Sequence, residues 1–171
     1  MLSYRRAGTG FAAFDLKGVR YALGICMDLN PDRNVTSWSM EEGPFELADF
    51  VIKENARVLI LICAWLDSKE NSGSGAEDAD TSTLRFWVAR LDPLWKSHRG
   101  DRVVLIANRC GEEDGLSQYV HTSRRLLTKE TGELFAGSSL VLQYSAERDQ
   151  LVRTGGLGRK EEALLRCTAQ M

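Results

Sequence analysis

Gly24-Ile25-Cys26-Met27-Asp28 is the stretch best placed to do chemistry. It closes an alternating apolar run, Val19 to Met27, and opens into a polar loop, Asn30 to Gly43, that holds Pro31, Asp32 and Asn34. A thiol at the C-terminal end of a strand stands where a layered α/β sheet displays its reactive groups. Gly24 leaves room beside that thiol, and the backbone N–H of Met27 is placed to face an oxyanion. Against this stands the ordinary role of a cysteine in an apolar run, which is to pack as a small hydrophobe. The residues alone leave both readings open.

The remaining groups promise less. Cys26, Cys63, Cys110 and Cys167 never form a close pair in sequence, so the paired spacing of structural zinc is missing and no metal site is expected. His98 and His121 sit in charged, hydrophilic surroundings, and nothing in the spacing brings either to Cys26 as a base. Gly8-Thr9-Gly10 and Gly155-Gly156-Leu157-Gly158 lack the glycine pattern of a phosphate loop between a strand and a helix, and read as turns. Glu112-Glu113-Asp114 reads as a solvated acidic turn.

The elements that must position Cys26 follow from periodicity. Phe11 to Phe14 reads as a strand, Asp15 to Gly18 as a turn and Val19 to Met27 as a second strand, together a hairpin. Pro44 suits a helix start, and Leu47, Ala48, Val51 and Ile52 then repeat at helical spacing. Arg57 to Trp65 is nearly all apolar, as in a strand covered on both faces. Residues 67–82 are acidic and rich in Gly and Ser, the composition of a flexible loop. From Thr83 a second helix carries Leu84, Trp87, Val88, Leu91 and Trp95 on one stripe, and Pro93 ends or kinks it. Arg102 to Asn108 is another buried strand, with a turn at Arg109 to Gly115. Leu134 to Tyr144 and Glu162 to Ala169 supply the last strands. The order is that of a layered α/β fold.

Composition narrows the field further. The chain has 171 residues, 43% hydrophobic, which supports one core and argues against disorder or a fibrous repeat. With 22 basic against 24 acidic residues and net charge −2, it offers no electrostatic footprint for nucleic acid. No apolar run approaches the roughly 20 residues of a bilayer span, and residues 1–25 are not built like a secretory signal. A cytoplasmic protein with neither a nucleic-acid nor a membrane partner is expected.

Val19 to Pro31, VRYALGICMDLNP, resembles the nucleophile motif of the nitrilase, or carbon–nitrogen hydrolase, superfamily. The octapeptide Gly-Ile-Cys-Met-Asp-Leu-Asn-Pro is most similar to the fungal protein N-terminal asparagine/glutamine amidases. Further resemblances run in the same order along residues 11–169: Glu46-Leu47-Ala48, Leu59-Ile60-Leu61 with Ala64-Trp65, Ala107 to Glu113, and Phe135-Ala136-Gly137-Ser138-Ser139. The resemblance implies an α-β-β-α sandwich, a Glu-Lys-Cys triad and no metal or organic cofactor. It makes Cys26 the nucleophile, forming a thioester with a protein N-terminal amide or a small amide. Asp28, Asn108 and Glu113 become structural neighbours of the site, and homo-oligomers are a family expectation.

The same resemblance implies what is missing. The residues before Cys26 hold no glutamate. Their one carboxylate is Asp15 and their one lysine is Lys17, both in the hairpin turn. At roughly 3.3 Å per residue of strand, Lys17 stands on the order of 30 Å from Cys26, too far to act as its cation. The chain therefore resembles the C-terminal half of such a domain, with residues 1–10 poorly matched. An open apolar face and a chain nearly inert by itself are expected. The alternative to a hydrolase is a truncated, non-catalytic paralogue that binds a full-length relative.

Overall fold

The computed structural model describes residues 10–31, 39–68, 75, 77–113 and 133–168. In chain order the elements are β1 (Ala12–Leu16), β2 (Val19–Ile25), a 3-10 turn (Cys26–Leu29), α1 (Glu46–Lys53), β3 (Val58–Cys63), α2 (Thr81–Arg90), α3 (Asp92–Lys96), β4 (Arg102–Asn108), β5 (Cys110–Glu113), β6 (Glu133–Ala136), β7 (Leu140–Ser145) and β8 (Gln150–Gly156). Six of the strands form one mixed sheet in the order β1-β2-β3-β4-β7-β8. At its centre β2, β3 and β4 run parallel, and β1, β7 and β8 extend it antiparallel. The layered α/β expectation holds.

Each parallel connection carries helix, which lays all three helices on one face. Leu47, Ala48 and Val51 of α1, Trp87 of α2 and Leu94 and Trp95 of α3 pack there against Ala22, Leu59, Leu61, Val104, Ile106 and Leu142. Pro93 falls in the first turn of α3, where its missing N–H is harmless, and the chain breaks between α2 and α3 at Leu91. The stripe of Trp87, Leu91 and Trp95 is buried as the periodicity predicts.

The other face is different. Phe14 and Leu16 of β1, Tyr21, Leu23 and Ile25 of β2, Ile60 and Ile62 of β3 and Leu105 of β4 line it in register. Val58, Val103 and Val141 are buried at its centre, with Leu165 of the C-terminal segment against them. Toward the strand ends it opens, leaving Ile25 62% and Ile62 60% exposed. The expectation that Arg57 to Trp65 is covered on both faces is therefore corrected: helices cover one face, and the second is apolar but largely open. A helix layer on one sheet is half of an α-β-β-α sandwich.

Other details also differ from the sequence reading. Asp15 and Leu16 stay paired with Arg20 and Val19, so the first turn shrinks to Lys17-Gly18, both at positive φ. Cys110–Glu113 is a strand paired with Glu133–Ala136 rather than a turn. Residues 162–168 form no strand, and the last strand is the polar Gln150–Gly156. An edge strand needs no continuous apolar run, so composition hides it. The loop at 67–82 is anchored at both ends. Asp67 is buried against Arg159. Asp80, wholly buried, caps α2 from its N-terminus by accepting from Ser82 and Thr83 N–H. Residues 69–74 and 76 lie outside the described residues.

Candidate active site at the strand ends

Cys26 leaves β2 as the first residue of the 3-10 turn. The pairing of β2 with β3 ends at Ile25 with Ile62, one step before Cys26 and Cys63, and Cys63 pairs in turn with Asn108 of β4. Cys26, Cys63 and Asn108 thus stand in a row across the C-terminal ends of three parallel strands, where open α/β sheets bind ligands. Both thiols join the core cluster on the helix face, Cys63 buried and Cys26 half-buried at its rim.

The surroundings set the ionisation of Cys26. The Cys63 thiol donates to its sulfur, and the Ala64 N–H adds a second donor; burial and the Asp28 carboxylate oppose them. Hydrogen bonds to the charged form win, and the Cys26 thiol is brought down from 9.0 to about 7. Cys63 moves the other way, pushed up because it donates, because it is buried and because a charge forms beside it. The thiolate therefore belongs on Cys26, the more exposed sulfur.

The other candidates hold backbone. Asp28 closes the turn by accepting the Ile25 N–H at 2.8 Å. Asn108 accepts from Trp65 N–H at 2.7 Å and donates to Gly137 C=O at 2.8 Å, and its own N–H meets Ser139 Oγ at 2.9 Å. It ties the ends of β3 and β4 to the segment before β7. Gly137 in that segment has φ 53, and a Cβ there would stand 2.2 Å from the Arg159 carbonyl oxygen, which excludes any side chain. Glu113 lies on β5 opposite Glu133, and its side chain is outside the described structure, as is His121. The Met27 N–H lies in the first turn of the 3-10 segment, where helical donors lack an intrahelical acceptor.

Gly24 corrects the sequence reading. A Cβ there would meet Leu47 at 2.9 Å and Leu61 at 3.0 Å. Its missing side chain admits α1 against the sheet and leaves no room for a ligand. His98 follows α3 at the opposite end of the parallel strands, its ring 3.0 Å from Tyr144 Oη, and takes no part in the site. Asp15 pairs with Arg20 at that same far end.

One positioning residue escaped the sequence reading. Arg90, buried, donates from Nε to the Leu29 carbonyl at 2.7 Å and from Nη2 to the Pro44 carbonyl, with its guanidinium over the Phe45 ring. It pins the loop after Cys26 to α2. The available signal is a basic residue three positions after Trp87 on an apolar helix face.

Among the described residues no group of three or more His, Cys, Asp or Glu could hold a metal ion. A cleft of about 430 Å³ is lined by Met40, Trp65, Ser68, Ser82, Thr83, Arg85 and Phe86. It lies beside Trp65, two residues beyond Cys63. A second, of about 300 Å³, lies against β7 and β8. Cys26 lines neither.

No protein-family model matches the chain. The protein N-terminal amidase of Schizosaccharomyces pombe is 28% identical over 138 residues, which cover 74% of this chain and 40% of that protein. An N-terminal amidase of known structure superposes with a TM-score of 0.61 at 15% identity, covering 88% of this chain and 64% of that one. An amidase of the nitrilase superfamily from Nesterenkonia AN1 gives 0.50 at 16%, covering 92% and 40%. The chain spans less than half the length of its curated relative. The chain is thus similar in sequence to a protein N-terminal amidase and shares its fold with amidases, one of them from the nitrilase superfamily, over part of their length.

Proposed function

We propose that residues 11–169 belong to a nitrilase-type carbon–nitrogen hydrolase that deamidates N-terminal Asn or Gln of proteins, with Cys26 as nucleophile. The observation that carries this reading is the Cys26 thiol at the C-terminal ends of the parallel strands, in a chain similar to a protein N-terminal amidase. The thiolate attacks the side-chain carboxamide carbon, and the Met27 N–H faces the oxyanion that forms. The nitrogen takes up a proton and leaves as ammonia. Water then hydrolyses the thioester to the acid and returns the thiol.

Both steps need a base, and the oxyanion favours a cation. Asp28 is the one charged group among the described residues whose field is felt at Cys26, and it is held in the turn. No described residue supplies the Glu or the Lys of the triad, so the 171-residue chain by itself is expected to be close to inert. A cytoplasmic setting accords with four free cysteines.

The open apolar face favours one other reading, a non-catalytic chain that binds a full-length relative. The test is ammonia release from peptides beginning with Asn or Gln by the protein isolated from its source cells. Release that Cys26→Ala abolishes is the expected result. Normal turnover by Cys26→Ala removes Cys26 from the chemistry. No release, together with co-purification of a longer relative, replaces the hydrolase reading with the binding one.

A further inference from the structure

We propose that Cys26 and Cys63 form a peroxide-responsive pair, in which Cys26 is oxidised first and Cys63 closes a disulfide onto it. Three observations carry this. Cys63 ends β3 and Cys26 follows directly on the neighbouring parallel strand β2, one step beyond the last registered pair, Ile25 and Ile62. Neighbouring strands lie about 4.8 Å apart, inside the roughly 4.4–6.8 Å between Cα atoms that a disulfide accepts. Both side chains join the same apolar cluster, Cys63 within it and Cys26 packed against it.

Their exposures divide the labour. Cys26 is half-buried and within reach of a small oxidant, whereas Cys63 is 6% exposed and shielded from it. A reactive, accessible thiol beside a resolving one is the arrangement of a redox sensor. The remaining thiols are engaged elsewhere: Cys110 Sγ lies 3.7 Å from the Glu161 carbonyl oxygen and Cys167 Sγ 3.9 Å from that of Thr154.

The chemistry with hydrogen peroxide balances. The Cys26 thiolate attacks one peroxide oxygen, an S–O bond forms, the O–O bond breaks and hydroxide leaves. Cys26 becomes a sulfenic acid, oxidised by two electrons, while the peroxide is reduced. Cys63 then gives its proton to water and attacks the Cys26 sulfur, forming the S–S bond and expelling the oxygen as water. In sum, two thiols and one peroxide yield one disulfide and two waters. The inference rests on the two thiols and holds whether or not Cys26 acts on amides. Where it does, the disulfide masks the nucleophile until a thiol reductant frees it.

The experiment is titration of the reduced 171-residue chain with hydrogen peroxide, alkylation of the remaining thiols, and peptide mass mapping without reduction. A Cys26–Cys63 cross-linked peptide pair that disappears on reduction is the expected product. Cys63→Ser should instead hold Cys26 at the sulfenic acid, trapped by dimedone, and then pass to the sulfinic acid. Wild-type chain in which Cys26 reaches the sulfinic acid while Cys63 is alkylated overturns the proposal. So does cross-linking of Cys26 to Cys110 or Cys167. Because the wild-type map needs no variant, a Cys63→Ser chain that fails to fold does not shelter it, and because the readout is mass, failure of the amidase assay does not touch it.

Discussion

A cysteine at the end of a strand becomes a nucleophile only if something favours its thiolate. Here the neighbouring thiol of Cys63 and the Ala64 N–H do so against burial and Asp28. Alkylation of Cys26 by iodoacetamide, followed by peptide mapping against pH, should therefore give a half-rate point near 7, where the thiol is brought. Cys63→Ala removes the largest stabilising donor, and the midpoint should rise toward the ordinary thiol value of 9.0. An unchanged midpoint in that variant would show that Cys63 does not set the ionisation. The lowered value also links to folding: stability from this group is present above its unfolded value and is lost as pH falls through about 7.

At the scale of elements, the site depends on how three strand ends are tied together. Asn108 makes that tie through Trp65 and Gly137, and Ser139 completes it. Asn108→Ala leaves the buried Gly137 carbonyl and the part-buried Trp65 N–H without their partner, at a cost of about 1–3 kcal/mol for the buried group. A melting temperature lowered by several degrees is expected, measured by thermal unfolding. A melt within a degree of wild type would mean that water or a shifted backbone replaces the amide. Arg90 plays the corresponding part on the helix side, holding the chain that follows Cys26. Gly24 sets the distance between α1 and the sheet.

At the scale of the molecule, the described helices cover one face of the sheet and a registered apolar field lies on the other. Phe14 and Leu16 lie on that field beside Leu23, Ile25 and Ile62, and all are exposed. A patch of this kind promotes association in water. Sedimentation velocity should show species larger than 19.1 kDa growing with concentration. The double variant Leu16→Lys with Ile62→Lys should shift them toward monomer without lowering the melting temperature. A wild-type chain that stays monomeric at high concentration would mean that the C-terminal segment, with Leu165, covers more of the face than its packing shows. Among the described residues no helix is long and apolar enough to cross a membrane.

Much of this was legible in the chain itself. Alternation marks β2, continuous apolar runs mark β3 and β4, and the buried stripe through Trp87, Leu91 and Trp95 marks the helices, because local periodicity records which side of an element meets the core. The motif around Cys26 marks the family resemblance. Tertiary structure decided the rest. Periodicity does not say what covers a face, so Arg57 to Trp65 read as covered on both sides although Ile62 on the outer one is 60% exposed. It does not say which glycine serves packing rather than a ligand, and Leu47 settles that for Gly24. Nor does it reveal that Cys63, 37 residues beyond Cys26, stands beside it, because parallel strands bring together residues that a helix separates in sequence. That juxtaposition, made by register alone, is what gives the Cys26 thiol its ionisation and its neighbour.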